Sequence, residues 1–241
     1  IKARLGAFAA AESGCEQSAV RFENNQLVAG DIRLDWADFI QKAYMNRIAL
    51  SSSGFYATPN IYYDHAKGQG HPFLYYANGA ACSEVVLDTL TGEYRVLRTD
   101  ILHDAGQSLN PEIDIGQIEG GFVQGMGWLT TEELVYSDQG RLLTTGPATY
   151  KIPAVSDMPP DLRVNLLANS PNKEATVFRS KAVGEPPLML GIAVWSALRD
   201  AVASLTDYRY SPPLDTPATP ERMLAAVTAA RQWALAEQEA V

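Results

Sequence analysis

The chain has 241 residues, enough for one large domain or two small ones, and its 46% hydrophobic and 20% charged content excludes disorder over most of its length. A formal net charge of −9 repels phosphate backbones and argues against a nucleic-acid partner. Two cysteines, Cys15 and Cys82, exclude a disulfide scaffold and are too few for an iron–sulfur cluster, which needs about four thiolates; as free thiols they fit a reducing, cytoplasmic setting.

Ile1 to Glu12 is alanine-rich and helical in character, ending at Gly14. A chain that opens without methionine and already inside a helix is expected to be a piece of a longer polypeptide. No run of about 18 apolar residues appears, so no membrane span is expected, and no signal peptide is visible. Val20 to Leu34 alternates and turns at Asn24-Asn25, as a small hairpin does. Asp35 caps a helix whose apolar face is Trp36, Phe39, Ile40, Ala43 and Tyr44. Ser51 to Gly70 reads as a polar, turn-rich loop.

Phe73 to Asp88 and Glu93 to Asp104 form a long hairpin about Thr91-Gly92, the spine of a sheet. Asp114 to Thr130 is a glycine-rich helix. Glu133 to Thr145 reads as a second hairpin around Asp138-Gln139-Gly140, Asp161 to Ala168 as a strand, and Val177 to Val183 as a short last strand. Pro186 and Pro187 suit the first turn of a helix, and Leu188 to Leu205 is apolar on nearly every side, which predicts burial. A proline-bearing linker, Ser211 to Pro217, leads to a final helix capped at Thr219-Pro220, with Met223, Leu224, Val227 and Trp233 on its face. Segregated hairpins and helices make the class α+β. The organisation expected is residues 1–50 as helix, hairpin and helix, 51–210 as the central core, and 211–241 as the C-terminal helix.

Two segments stand out chemically. Glu185 lies in Lys181-Ala182-Val183-Gly184-Glu185-Pro186-Pro187-Leu188, between a short apolar strand and a proline-stiffened helix start. A carboxylate fixed there in an apolar cavity has a raised pKa and serves as a general base; the same acid can equally satisfy a helix N-terminus. Gln117 lies in Asp114 to Gly127 with glycines at 116, 120, 121, 125 and 127, each costing about 1 kcal/mol of helix stability against alanine. That cost implies close approach of a polar cofactor or of a tightly packed neighbouring element. The histidines, His65, His71 and His103, form no zinc-type pair. Asp100 and Asp104 read as an acid pair or as strand-end polar residues, and Ser51-Ser52-Ser53-Gly54 as an anion loop or ordinary solvated chain.

Taken together, Gly54 to Asn60, Ala81 to Val85, Leu97 to Asp100, Ser108 to Pro111, Asp114 to Gly127, Gly146 to Pro153, Pro171 to Lys173 and Ser180 to Leu188 form a series. It resembles the C-terminal molybdopterin-binding part of the xanthine dehydrogenase and xanthine oxidase family, over roughly residues 43–205. The resemblance implies the family's two-layer sheet-and-helix molybdopterin-binding fold, present as a fragment. It implies a molybdenum–pterin cofactor whose metal is held by the pterin dithiolene and by no protein side chain. Glu185 corresponds to the family's glutamate, which takes the proton from the attacking oxygen. Gln117 corresponds to the glutamine that hydrogen-bonds the cofactor, with Gly116 and Gly184 beside it. A purine substrate is implied, hypoxanthine going to xanthine and xanthine to urate. Electrons then leave through 2Fe-2S clusters and FAD to NAD, on another domain or subunit of a hetero- or homo-oligomer. Pro186-Pro187 after the glutamate resembles the xanthine branch more than the aldehyde oxidases. Another molybdenum hydroxylase, acting on aldehydes or N-heterocycles, and a non-catalytic packing domain are the competing readings.

Overall fold

The computed structural model describes residues 1–239; the last two residues of the expected C-terminal helix lie outside the described residues. The chain forms two compact units, Ile1–Pro59 and a second from Asn60 onward.

In the first unit, helix α1 (Lys2–Ser13) ends where Gly14 enters the left-handed region (φ 67°) and returns its N–H to Ala10. Three short strands follow, β1 (Arg21–Glu23), β2 (Gln26–Ala29) and β3 (Ile32–Asp35), paired antiparallel in sequence order. Asn24 and Asn25 both take positive φ, which makes the tight β1–β2 turn that their sequence announces. A second turn at Gly30 adds the third strand, which extends the expected hairpin to a meander. Asp35 caps α2 (Trp36–Met45) by accepting from Ala37 N–H at 2.9 Å. Leu5, Ala9, Leu27, Ala29, Phe39 and Ala43 form this unit's core, whereas Tyr44 faces solvent.

The second unit opens with a small hairpin, β4 (Tyr62–Asp64) and β5 (Gln69–His71), within the expected loop. Its main sheet has the order β6 (Gly79–Leu87), β7 (Tyr94–His103), β8 (Asp161–Leu166). The β6–β7 pair is antiparallel with a bulge at Glu84/Val85, and β8 joins β7 in parallel after a long crossover that contains α3 (Pro111–Thr130). Helix α4 (Ile192–Ser204) packs on β6, and α5 (Pro220–Glu239) packs on α4. Val96, Ile101, Ile118, Phe122, Val194, Leu198, Met223 and Val227 build one core from both layers. Sheet below and helices above is the two-layer α+β arrangement.

Two local expectations are corrected and one holds in shortened form. Residues 177–183 form no strand: Val177–Arg179 is a tight turn, and a single bridge from Ser180 to Gly106 is all the pairing there is. The expected hairpin over Glu133 to Thr145 forms in short form: Tyr136 bridges Leu142, Ser137 N–H donates to Arg141 O at 2.9 Å, Leu143 N–H donates to Val135 O at 2.8 Å, and Gly140 (φ 77°) sits in the turn. The apolar run after Glu185 is a 3₁₀ turn over Pro186–Gly191 followed by α4, and it buries one stripe (Val194, Leu198, Val202) while Met189 and Ile192 stay exposed. Packing on one sheet covers one helix face only, whatever the composition of the other. Among the described residues no helix is long and apolar enough to cross a membrane.

Candidate active site

Helix α3 starts three residues before its expected position because Asn110 caps it, accepting from Ile113 N–H at 3.4 Å, and Pro111 fits the first turn. Helical spacing then puts Gln117, Gly121 and Gly125 on one stripe. A Cβ on Gly121 would stand 3.0 Å from Pro187 Cβ and 3.3 Å from Gly184 O, and one on Gly125 would collide with the Leu188 carbonyl. The stripe is therefore the bed on which the Pro186–Gly191 turn lies. From the other side, a Cβ on Gly191 would sit 2.5 Å from Gly125 C and Met126 N. Gln117, one helical turn beyond this bed, is exposed, and its Oε1 lies 3.5 Å from where a Gly184 Cβ would be. Two segments far apart in sequence thus bring Gln117 beside Gly184, the residue before Glu185.

The glycines of α3 divide into two sets. Gly121, Gly125 and Gly127 permit close packing, the last against Pro153 and Glu132. Gly116 and Gly120 have no heavy atom within 4 Å of an added Cβ, and both are exposed. Only this second pair leaves bare helix backbone open to a ligand.

Glu185 departs from the expectation of an apolar, water-poor cavity: in this chain it is exposed, as is Gly184. The physical reason is the turn it begins. Burial of Pro187 and Leu190 fixes the turn's inner side, and Glu185 falls on the other. Nor does its side chain cap the helix start; only its backbone oxygen takes part, accepting from Leu188 N–H at 3.0 Å.

The backbone leading to Glu185 is held by partners that the sequence reading did not pair. Lys181 Nζ donates to Asp104 Oδ2 at 2.6 Å and to Tyr76 O at 2.9 Å, with both charged side chains largely buried. Burial works to raise the Asp104 carboxyl, but hydrogen bonds from Lys181 and from Gly106 N–H outweigh it and hold the group below its ordinary range. Asn172, also buried, donates to Ser180 O at 3.2 Å. His103 is buried beside them, and burial lowers its pKa. The available signal was an acid at Asp104 closed in by Ile101, His103 and Ala105 at a strand end, a place that demands a counter-charge. Asp100 is no partner of Asp104: it forms a two-pronged pair with Arg98 at 2.6 and 2.8 Å on the outer sheet surface. His65 and His71 are exposed.

Residues 1–159 match the molybdopterin cofactor-binding domain model. The chain is 50% identical over 197 residues to the xanthine dehydrogenase/oxidase of Felis catus, a match covering 78% of this chain and 14% of that protein. It is 48% identical over 217 residues to the xanthine dehydrogenase/oxidase of Gallus gallus, covering 89% of this chain and 16% of that one. Among solved structures, quinoline 2-oxidoreductase from Pseudomonas putida 86 superposes with a TM-score of 0.64 at 26% identity, over 93% of this chain and 28% of that one. Aldehyde oxidoreductase from Desulfovibrio gigas does so with a TM-score of 0.61 at 27% identity, over 78% and 20%. The chain thus spans 14–16% of the length of these curated relatives.

Proposed function

Since this chain belongs to the molybdopterin cofactor-binding domain family, we propose that it is the part of a xanthine dehydrogenase that carries Glu185, the general base for hydroxylation of hypoxanthine and xanthine. The observation that supports the reading is the approach of Gln117 to Gly184, next in sequence to Glu185, built by glycine-mediated packing of α3 under the Pro186–Gly191 turn.

The residues of this face fit a pterin cofactor. Exposed backbone at Gly116 and Gly120 offers a flat approach, and the amides of Gln117 and Gln124 can both donate and accept. Gln117 would hold the cofactor near its metal end. When bound, the molybdenum–pterin group supplies the oxygen nucleophile and accepts two electrons, with 2Fe-2S clusters, FAD and NAD completing the electron path elsewhere in a cytoplasmic, oligomeric enzyme. The Glu185 carboxylate takes the proton from that nucleophile. The stiff Pro186-Pro187 step limits the directions in which the acid can point. Identity of about half to xanthine dehydrogenases, against 26–27% to the quinoline and aldehyde enzymes, supports a purine as the substrate.

Replacement of Glu185 by Gln in the full-length enzyme tests the reading. Molybdenum and pterin content stay native while xanthine turnover falls by about 10²–10⁴-fold or more, the contribution of a positioned base. Turnover within a few-fold of native would refute it, and faster turnover of an aldehyde than of xanthine by the native enzyme would refute the purine assignment.

A further inference from the structure

Several backbone polar groups that flank Lys181 are captured by side chains and backbone outside the 177–183 segment. Arg179 O accepts from Gln107 N–H at 2.9 Å and from Asn172 N–H at 2.8 Å. Ser180 O accepts from Thr176 Oγ1 at 2.6 Å and from Asn172 Nδ2 at 3.2 Å. Lys181 N–H donates to Ala105 O at 2.9 Å, and Ala182 N–H to Tyr75 Oη at 3.0 Å. At the centre lies the Lys181–Asp104 ion pair, with side chains only 12% and 6% exposed. Four residues beyond Lys181, after buried Val183, comes Glu185.

A buried ion pair is a poor way to gain stability, because desolvating both charges offsets most of their attraction; its better use is to select one arrangement over others. The backbone here needs such selection. Phe178 and Arg179, neither of them glycine, both lie in the left-handed region (φ 48° and 61°). Strain of this kind persists only where the surroundings over-determine the chain. Phe178 is itself exposed, so its ring does not hold the turn; the polar clamp around residues 179–182 does.

We propose that the Lys181–Asp104 ion pair is the positioning element of Glu185: it locks the segment that carries the acid to the end of β7, and neither residue takes part in the chemistry. The inference rests on the reading of Glu185 as the base. Charge and shape both matter at the pair, because Asp104 also accepts from Gly106 N–H and Lys181 also reaches Tyr76 O. Loss of one charge frees the segment and leaves the other buried and uncompensated.

The test uses the full-length enzyme with Asp104→Asn, Lys181→Met and the double variant Asp104→Leu/Lys181→Met. The double variant leaves no unpaired buried charge and therefore folds even where a single one does not. Expected are native molybdenum content, a kcat about 10–100-fold lower, KM within about 3-fold of native, and amide hydrogen exchange over residues 179–188 at least about tenfold faster with α4 and α5 unchanged. Native kcat together with native exchange at 179–188 in the double variant overturns the proposal. Should Glu185→Gln leave turnover intact, the base assignment fails, and exchange at 179–188 still decides whether the pair fixes the segment.

Discussion

Gly191→Ala puts the packing of α3 under the Glu185 turn to a direct test. The new Cβ would meet Gly125 C and Met126 N at 2.5 Å and Gly125 Cα at 2.9 Å. All three are backbone atoms, so no side-chain rotation relieves the contact. Reaching the 3.0 Å below which real Cβ contacts are essentially absent requires the turn to lift off α3 by about 0.5 Å, and an unstrained contact requires about 1 Å. Overpacking of this size costs about 1–3 kcal/mol. Because Glu185 begins the same turn, a displacement near 1 Å at the acid lowers kcat by about 10²-fold on the proposed reading. Thermal unfolding and steady-state xanthine turnover of the full-length variant read the two effects separately. Melting and turnover both at the native level would refute the close packing, whereas lowered melting with native turnover would refute only its link to Glu185.

Two further predictions follow from open and closed parts of the same region. Gly116→Ala and Gly120→Ala meet no atom within 4 Å, so each stabilises α3 by up to about 1 kcal/mol in unfolding measurements while lowering pterin content; native pterin content in both would show that this backbone touches no cofactor. His103 is buried, with Nδ1 lacking a hydrogen-bond partner among the described residues, and burial lowers its pKa, aided by Lys181 and opposed by Asp104. The unfolded chain therefore takes up this proton first: the stability contribution is complete above about pH 6.5 and is lost as pH falls toward the folded value. Urea midpoints should drop between about pH 7.5 and 5.5 in the native protein and flatten in His103→Gln, and identical slopes in the two would sink the assignment.

Much of the frame was legible because its signals are local. Asn24-Asn25, the Asp35 cap, the Thr91-Gly92 turn and the apolar rows of β7 and α5 each act within a few residues, and the elements formed where those residues put them. Residues 177–183 were misread because their β-branched and aromatic side chains favour a strand, while a clamp contributed by residues 75–76, 104–107 and 172 imposes a turn. All of those partners but Asn172 are far away in sequence. The glycines of α3 were legible as a cost but not as a division, since only tertiary packing distinguishes Gly125 under Leu188 from Gly120 in the open. Glu185 and Gln117 stood out by motif, but the approach of Gln117 to Gly184 depends on the turn lying across the helix.

On the proposed reading, the exposure of Glu185 bears on how such a base is assembled. A general base needs a fixed position and a dry setting, and the two need not come from the same stretch of polypeptide. Position is built within this chain, by the Lys181 clamp on one side of the acid and the glycine bed on the other. Dryness is not, because Glu185, Gly184, Gln117, Gly116 and Gly120 are all exposed. The curated relatives are six to seven times longer than the stretch they share with this chain, so on the proposed reading cofactor, substrate and the remaining polypeptide cover that face. An acid meant only for the surface would need neither a buried ion pair four residues before it nor two prolines after it. A rigid backbone under an uncovered carboxylate is what a site closed from outside requires.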